Sequence, residues 1–222
     1  AYGGHIEAMK WLCEKAPELL SQFTNDGWTP FHSAAYGGHI EAMKWLCEKA
    51  PELLSQFRND GYTPLHAAAY GGHIEAMKWL CEKAPELLFQ FEKNGYTPLH
   101  AAAQEGHIEA MKWLCEKAPE LLSQFKKNGW TPLHSAAEGG HIEAMKWLCE
   151  KAPELLSQFT NDGWTPLHVA ACGGHVEAMK WLCEKAPELL FQFTNDGWTP
   201  LHAAAYGGHI EAMKWLCEKA PE

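Results

Sequence analysis

Residues 61–94 read GYTPLHAAAYGGHIEAMKWLCEKAPELLFQFEKN, and near-copies of this block recur along the whole chain every 34 residues. One tryptophan marks the same position in each copy: Trp11, Trp45, Trp79, Trp113, Trp147, Trp181 and Trp215. A unit of this size cannot bury its own apolar face, so neighbouring units must stack and share a continuous core. The sequence therefore predicts a repeat array rather than a globular domain, with its function on the surface of the stack.

The repeat also sets the domain organisation of the 222-residue chain. We predict a single array over residues 1–222, with a partial repeat at 1–26, full repeats at 27–60, 61–94, 95–128, 129–162 and 163–196, and a partial repeat at 197–222. Residue 1 is alanine and falls in mid-repeat, so we expect the chain to be an excerpt or a processed piece.

Composition excludes several classes of partner. The net charge is −10, and each unit adds three Glu and two Lys in its helical half. Nucleic-acid binding needs stripes of Lys and Arg, so an evenly acidic surface predicts no nucleic-acid partner and no anionic membrane surface. No apolar run approaches the ~18–20 residues of a membrane span, so we expect no membrane insertion.

Seven of the eight cysteines occupy one repeated position, that of Cys47. Equivalent residues on stacked helices lie roughly 10 Å apart, whereas a disulfide needs Cα atoms within about 7 Å. We expect free, buried thiols that behave as small hydrophobes, which fits the cytoplasm or another reducing compartment. Cys172 stands apart at a surface-type position, where it is either an exposed thiol or a drifted residue.

Each unit divides into a tip loop and two helices. Asn25-Asp26-Gly27 predicts a hairpin with a tight primed turn, because these residues tolerate left-handed angles. Thr29-Pro30 predicts the cap and first position of a short helix that ends at Gly37-Gly38. A second helix is expected from about His39 to Lys49, where the following proline ends it.

Two apolar clusters follow from this reading. Residues of the second helix share one face at helical spacing, with Ala42 and Leu46 beside them: Ile40, Met43, Cys47 and Ala50. Leu53, Leu54 and Phe57 form a second cluster that we expect to seal the base of the stack. The tryptophan ladder either packs between repeats or forms an exposed aromatic stripe; we favour packing, because exposed apolar stripes promote aggregation.

The order of these features resembles an ankyrin repeat: hairpin, G-x-TPLH-x-AA, glycine turn, GH-x-E and second helix. TPLH stands at 63–66, 97–100, 131–134, 165–168 and 199–202, TPFH at 29–32, and GHIEAMKWL or GHVEAMKWL in every unit. The resemblance covers essentially the whole chain. It implies an all-α repeat solenoid, in which ankyrin-type helix–turn–helix units with β-hairpin finger loops stack into a superhelix. Two departures are the period, one residue longer than the commonest length, and KAPELLSQF in place of the usual glycine-containing loop.

The thirteen histidines do not indicate a metal site. A structural zinc site needs four convergent ligands, whereas His39 and Cys47 are separated by roughly 80° around their helix. We interpret the histidines as a ladder that bonds loop backbone, as the resemblance also implies for the TPLH histidine. Walker, G-x-S-x-G and H-E-x-x-H motifs are absent from the sequence, and aspartate occurs only at hairpin tips. We predict that the protein is not an enzyme and has no catalytic, metal or cofactor site.

Differences between copies concentrate at the hairpin tips, at the residue before the TP step and along the first helix. The resemblance implies that partners are gripped by the tips and by the concave face of the first helices. Exposed positions also drift freely, so variation locates a candidate surface without proving that it binds. The candidate partner-binding residues are Trp28, Ser33, Tyr36, Arg58, Asp60, Tyr62, Tyr70, Glu92, Lys93, Tyr96, Gln104, Glu105, Lys126, Lys127, Trp130, Glu138, Trp164, Cys172, Trp198 and Tyr206.

Two functional hypotheses remain. The first is a non-catalytic scaffold that binds a protein partner, because aromatic anchors within a polar rim are what protein interfaces favour. The second is a structural fibre, built by head-to-tail stacking of uncapped repeats, since such open-ended contacts make filaments.

Overall fold

Every regular element of the computed structural model, which describes residues 3–16, 20 and 22–219, is helical. The α-helices are α1 (Ile6–Lys15), α2 (Pro30–Tyr36), α3 (Ile40–Lys49), α4 (Pro64–Tyr70), α5 (Ile74–Lys83), α6 (Pro98–Gln104), α7 (Ile108–Lys117), α8 (Pro132–Glu138), α9 (Ile142–Lys151), α10 (Pro166–Cys172), α11 (Val176–Lys185), α12 (Pro200–Tyr206) and α13 (Ile210–Lys219). One-turn 3₁₀ helices span Pro51–Ser55, Pro85–Phe89, Pro119–Ser123, Pro153–Ser157 and Pro187–Phe191. Within the described ranges, none of these helices is long and apolar enough to cross a bilayer.

The helices belong to two compact units. Unit 1 comprises Ala1–Ala102 with Glu109–Leu121, and unit 2 comprises Ala103–Ile108 with Leu122–Glu222. In unit 1 the first helices α2 and α4 pack side by side, and the second helices α3 and α5 do the same. In unit 2, α8, α10 and α12 form one layer, and α9, α11 and α13 form the other. This layering confirms the predicted all-α stack of repeated helical units.

Each first helix begins where the TP step predicts it. In α4 the Thr63 hydroxyl oxygen accepts the His66 backbone N–H at 3.3 Å, and His66 Nδ1 accepts the Thr63 backbone N–H at 3.2 Å. This is a reciprocal capping box in which histidine takes the place usually held by Glu or Gln. The box recurs with Thr29, Thr131, Thr165 and Thr199.

The first helices end at a glycine pair, as predicted, except α6, which is followed by Glu105-Gly106. Gly72 has φ +72°, a left-handed angle that ends the helix without strain only for glycine. A Cβ on Gly71 would lie 2.3 Å from the carbonyl oxygen of Tyr36 in the preceding repeat, so this glycine is required by the close stacking of α2 and α4. Ala67, Ala68 and Ala69 are fully buried at the same contact.

The second helix buries a narrower face than the sequence predicts. In α3, Ala42, Met43 and Leu46 are buried, whereas Ile40 and Cys47 are half-buried. The helix ends at Lys49, as expected before Pro51. The proline then opens a 3₁₀ turn, which the sequence analysis did not predict.

The 3₁₀ turn supplies part of the expected basal cluster. Leu53 is fully buried, while Leu54 and Phe57 are half-buried. At other copies the phenylalanine of this cluster is more exposed: Phe159 is 45% and Phe193 63% exposed. The predicted seal at the base of the stack is therefore carried by the leucines.

The tip loops differ from the predicted primed turn. Gly27 N–H donates to the Thr24 carbonyl at 2.8 Å, which places Asn25 and Asp26 at the centre of the turn. A primed type I′ turn needs positive φ at both central residues, but every positive φ in the described chain belongs to glycine. Gly27, at φ +91°, takes the left-handed position instead, as in a three-residue hairpin loop. No β-strand is assigned to the tips among the described residues.

The TPLH histidines link successive repeats, which confirms the predicted ladder. His66 Nε2 lies 3.0 Å from the Tyr96 carbonyl oxygen, and His134 Nε2 lies 3.1 Å from that of Trp164. Because the carbonyl can only accept, Nε2 must carry the proton, and this tautomer leaves Nδ1 free to cap the helix. One buried ring therefore ties the start of its own helix to the backbone of the next repeat.

A second histidine reaches in the opposite direction. His175, which precedes α11, bonds the Glu138 carbonyl oxygen of the preceding repeat at 2.8 Å. A Cβ on Gly140 would meet this ring at 2.5 Å, so the glycine turn leaves room for it. Between these two repeats, His134 therefore bonds the backbone of Trp164 and His175 bonds the backbone of Glu138.

The repeated cysteines are free thiols but are less buried than predicted. Six of the seven are half-buried, and Cys217 is exposed. In unit 1, Cys47 lines a groove of about 360 Å³ with Trp79 of the next repeat. The Trp79 ring also lies 6.2 Å from the Phe31 ring, which favours the packing interpretation at this copy. Trp11, in contrast, is 59% exposed.

Acid should destabilise the fold before its carboxylates titrate. Burial lowers the pKa of His32, His66 and His134 from 6.5 to about 4, because a charged ring loses its hydration and Nδ1 is committed as an acceptor. The unfolded chain therefore binds more protons than the folded chain between these values, and stability falls as the pH drops from about 6.5 towards 4. Each histidine then contributes up to about 3 kcal/mol of this loss.

Urea unfolding followed across this pH range measures the predicted loss of stability. The His134→Ala variant keeps every carboxylate and should show a weaker dependence; an unchanged profile contradicts the assignment.

The contribution of the histidine bond between repeats to stability can be measured separately from that of the helix cap. His134 is fully buried and makes both bonds, whereas His202 has the same capping box but is exposed. We expect His134→Ala to lower the free energy of unfolding by about 2–3 kcal/mol, because it also leaves a cavity. His202→Ala should lower it by about 1 kcal/mol or less, the value of a cap. Equal losses in urea denaturation would show that the bridge adds nothing.

Candidate partner-binding surface

The residue before the TP step and the last residue of the first helix lie on one face of unit 1. The ring centroid of Trp28 lies 5.8 Å from that of Tyr62 and 6.3 Å from that of Tyr36. Tyr36 and Tyr70 stack with centroids 5.7 Å apart and planes 26° apart. Two short segments in each repeat thus build one continuous aromatic surface.

This surface contains a cavity, which we name the aromatic groove. Its volume is about 410 Å³. It is lined by seven of the predicted site residues: Trp28, Tyr36, Arg58, Tyr62, Tyr70, Glu92 and Tyr96. The structure therefore brings together the candidates of unit 1 that the sequence distributes over three repeats.

The tyrosines of the aromatic groove differ in exposure. Tyr62 and Tyr96 are each only 8% exposed, so their rings form the floor, and burial raises the pKa of the Tyr62 hydroxyl. Tyr36 and Tyr70 are half-buried and form the wall that a partner can reach. The residue before the TP step is buried because it packs on the buried histidine, as the Tyr62–His66 centroid distance of 5.1 Å records.

Arg58 is held at one end of the aromatic groove by two rings and two carboxylates. Its guanidinium carbon lies 5.6 Å from the Trp28 centroid and 5.1 Å from the Tyr62 centroid. One guanidinium nitrogen lies 2.8 Å from an Asp60 oxygen and 3.7 Å from an Asp26 oxygen. We call these five residues the arginine site. The Thr24 hydroxyl, which donates to Asp26, and the nearby guanidinium lower the pKa of the Asp26 carboxyl.

Two further candidates in unit 1 contribute mainly to local structure. Ser33 Oγ accepts the Trp28 indole N–H at 2.8 Å and so fixes the plane of that ring. Lys93 is exposed at a tip, where its backbone N–H donates to the Asp60 carbonyl at 2.7 Å.

Unit 2 has a comparable surface with different residues. Lys126 Nζ lies 4.9 Å from the Trp130 centroid, and the Trp130 indole donates to Ser135 Oγ at 3.1 Å. Partial burial raises the pKa of Glu138 although Lys126 opposes the shift. The tip residue Lys126 therefore lies near an aromatic ring and a carboxylate of the following repeat.

In the remaining repeats of unit 2, the aromatic rings are more exposed than the buried Tyr62 and Tyr96 of unit 1. Trp164 and Trp198 have centroids 6.2 Å apart, and Trp198 lies 5.5 Å from Tyr206, which is 75% exposed. Cys172 is half-buried rather than exposed. Burial and the neighbouring Glu138 charge raise the pKa of its thiol, which makes it a poor nucleophile.

Three candidates lie at the edges of this surface in unit 2. Gln104 and Glu105 are half-buried, and the Gln104 carbonyl accepts a hydrogen bond from the His141 ring. Lys127 is exposed, and its carbonyl accepts the Asn161 side-chain amide at 2.9 Å.

Sequence reasoning missed two kinds of residue on this surface. The sequence indicates the tip asparagines only as turn formers, yet Asn59 and Asn195 donate side-chain amides to the carbonyls of Asn25 and Asn161 in the preceding tips. Asp26 was likewise not named as a site residue, although it contacts Arg58. A search for polar residues at identical register in adjacent tips could have found both.

The described residues do not bring three or more His, Cys, Asp or Glu side chains together as metal ligands. The histidines of the ladder direct their ring nitrogens at backbone and threonine groups, as the His66 contacts illustrate. The chemistry of the surface is therefore that of aromatic rings, tip charges and backbone.

Comparison with known proteins agrees with this architecture. A family model described as ankyrin repeats (3 copies) matches residues 1–90, 50–124, 84–158 and 152–222. A comparison with curated proteins finds no match. Because the matched segments together extend over the whole sequence, the chain belongs to the ankyrin-repeat family.

Proposed function

We propose that this chain is a non-catalytic module that binds a protein partner through its tips and the ends of its first helices. Ankyrin repeats are in general protein–protein interaction modules, and the family is typically non-catalytic. The observation that carries the proposal for this chain is the aromatic groove, where five aromatic side chains, Arg58 and Glu92 surround one cavity.

The composition of the aromatic groove supports a protein partner. Tyr, Trp and Arg are the residue types that contribute most to binding energy at protein interfaces. Trp28 is fixed by its bond to Ser33, and Arg58 is held by its ion pair with Asp60. Side chains that are ordered before binding lose little conformational entropy on association, which strengthens the complex.

The reactivity of the candidate nucleophiles supports a non-catalytic role. Burial raises the pKa of Cys81, Cys149 and Cys183 to about 12, so these thiols stay protonated at neutral pH. The TPLH histidines His66 and His134 use both ring nitrogens in structural bonds. The net charge of −10 further favours a protein partner over nucleic acid.

A second candidate function is structural, through head-to-tail stacking into a fibre. In inner repeats the outer face of the first helix is covered, as for the fully buried Ala171. In the last described repeat the matching Ala205 is exposed, Leu201 is half-buried and Ile210 is 64% exposed. Trp11, on the first described helix, is 59% exposed. Contact between such faces of two copies is heterologous and does not close, and near-identical units would then form a regular superhelix.

Loss of the wall of the aromatic groove should weaken partner binding. We expect the double variant Tyr36→Ala/Tyr70→Ala to lower affinity at least about tenfold for a partner recovered with the immobilised chain and then purified, because two aromatic anchors are removed. Isothermal titration measures the change. The matched control is Lys44→Ala/Lys78→Ala, which removes two exposed lysines paired with Glu41 and Glu75 on the second helices. Unchanged affinity in the tyrosine variant, or an equal loss in the control, removes the groove from consideration.

Head-to-tail stacking predicts a mass that grows with concentration. Multi-angle light scattering should show species larger than one chain as the concentration rises, and Ile210→Lys should reduce them by placing a charge on the exposed face. The control is Lys180→Glu, at an exposed position on the surface of α11. A monomer at every concentration eliminates the fibre hypothesis.

A further inference from the structure

Unit 2 contains an equivalent of the arginine site in which threonine replaces the arginine and tryptophan replaces the tyrosine. The tip position held by Arg58 in its repeat is held by Thr194 at the matching place. The other four members are kept in register: Asp162 for Asp26, Trp164 for Trp28, Asp196 for Asp60 and Trp198 for Tyr62. We name these four residues the vacant site.

The rings of the vacant site keep the arrangement found around Arg58. The centroids of Trp164 and Trp198 are 6.2 Å apart and their planes 42° apart, against 5.8 Å and 31° for Trp28 and Tyr62. Both tryptophans are half-buried, so part of each ring is accessible. Tryptophan is the aromatic residue that attracts cations most strongly. In the part of unit 2 that the structure describes, no cation lies over either ring.

Thr194 leaves the carboxylates of the vacant site uncommitted. In the arginine site, Asp60 accepts the Tyr62 backbone N–H at 3.0 Å through one oxygen and contacts Arg58 through the other. In the vacant site, the Thr194 hydroxyl oxygen accepts the equivalent N–H of Trp198 at 3.0 Å. Asp162 and Asp196 are exposed, and neither carboxylate makes an ion pair or hydrogen bond with any residue that the structure describes.

We propose that the vacant site binds the guanidinium group of an arginine side chain presented by a protein partner. The proposal rests on the proposed function, since it assigns a chemistry to the partner of the same face. The chain itself provides the precedent, because Arg58 occupies the equivalent rings and carboxylates in unit 1. The net charge of −10 attracts a basic segment towards these tips.

Arginine fits the vacant site better than lysine for a geometric reason. A guanidinium is planar, so it can lie against an indole while its edge donates to carboxylates on either side. An ammonium is a compact, strongly hydrated charge that gains less from ring faces and loses more hydration. The site is therefore specific for the planar cation.

The test uses the whole chain and a short peptide. Acetyl-Gly-Arg-Gly-amide is titrated into ¹⁵N-labelled protein while the indole N–H resonances are followed by NMR. We expect the peptide to bind with a millimolar dissociation constant, and more weakly as salt is added. The indole resonances of Trp164 and Trp198 should shift more than those of the other tryptophans. The same peptide with citrulline, which is neutral but nearly isosteric, should not bind, and the lysine peptide should bind at least about threefold more weakly.

Two reciprocal variants make the test specific. In the variant Thr194→Arg, the guanidinium of the new side chain should occupy the vacant site, so peptide affinity should fall at least about tenfold. Arg58→Thr empties the arginine site of unit 1 and should add a second binding event, seen at Trp28. Asp162→Asn/Asp196→Asn keeps the shape of both side chains and should also weaken binding about tenfold, since an ion pair becomes a neutral contact. If Thr194→Arg fails to fold, the double variant Asp162→Asn/Asp196→Asn at two exposed positions still tests the proposal.

Three results overturn the inference: shifts spread evenly over all tryptophans, equal binding of the citrulline or lysine peptide, or unchanged affinity in the aspartate variant. None of them affects the proposed function, which depends on Tyr36 and Tyr70 in unit 1. Conversely, Tyr36→Ala/Tyr70→Ala should leave peptide binding at Trp164 and Trp198 unchanged. If that variant loses partner binding while the native chain does not bind the arginine peptide, the proposed function stands and arginine binding at the vacant site is rejected.

Discussion

The TPLH histidine makes the bonds on which the rest of the structure depends. Its Nδ1 accepts the backbone N–H at the start of its own helix, and its Nε2–H donates to a carbonyl in the next repeat. Both bonds require the neutral ring and one tautomer, which full burial enforces by lowering the pKa. A polar ring in a buried position is stable only because both of its nitrogens are satisfied. The same side chain therefore starts a helix and sets the position of the following tip.

Because backbone groups and histidines hold the repeats together, the tip side chains are free to differ. The position occupied by Arg58 holds Glu92, Lys126 and Thr160 in later copies, and the capping boxes of α8 and α10 are the same as that of α4. Each tip can thus alter the charge of the surface while the core is unchanged. This separation of core from surface is suited to partner binding, because affinity can change without loss of stability.

The local signals in the sequence predicted most of the elements. Threonine, proline and glycine mark the start and end of the first helix, since capping and left-handed angles act over a few residues. Two local expectations were wrong. Asn25-Asp26 tolerates a primed turn but does not require one, and the left-handed angle falls on Gly27 instead. The helical spacing of Cys47 does not say how closely the next second helix approaches, so the exposure of Cys47 depends on packing between repeats.

The sequence by itself determined the period, the two α-helices of each unit, the family resemblance and the surface on which copies differ. Each of these follows from chemistry within one unit or from its repetition. Only the tertiary structure decided that Arg58 lies between two rings and two carboxylates and that Tyr62 is buried at the floor of the aromatic groove. It also decided that Asp196 makes no ion pair with any residue that the structure describes. These contacts join residues of different repeats, so they depend on the distance and tilt at which neighbouring repeats stack. Such geometry arises from packing across repeats, which no single copy of the sequence contains.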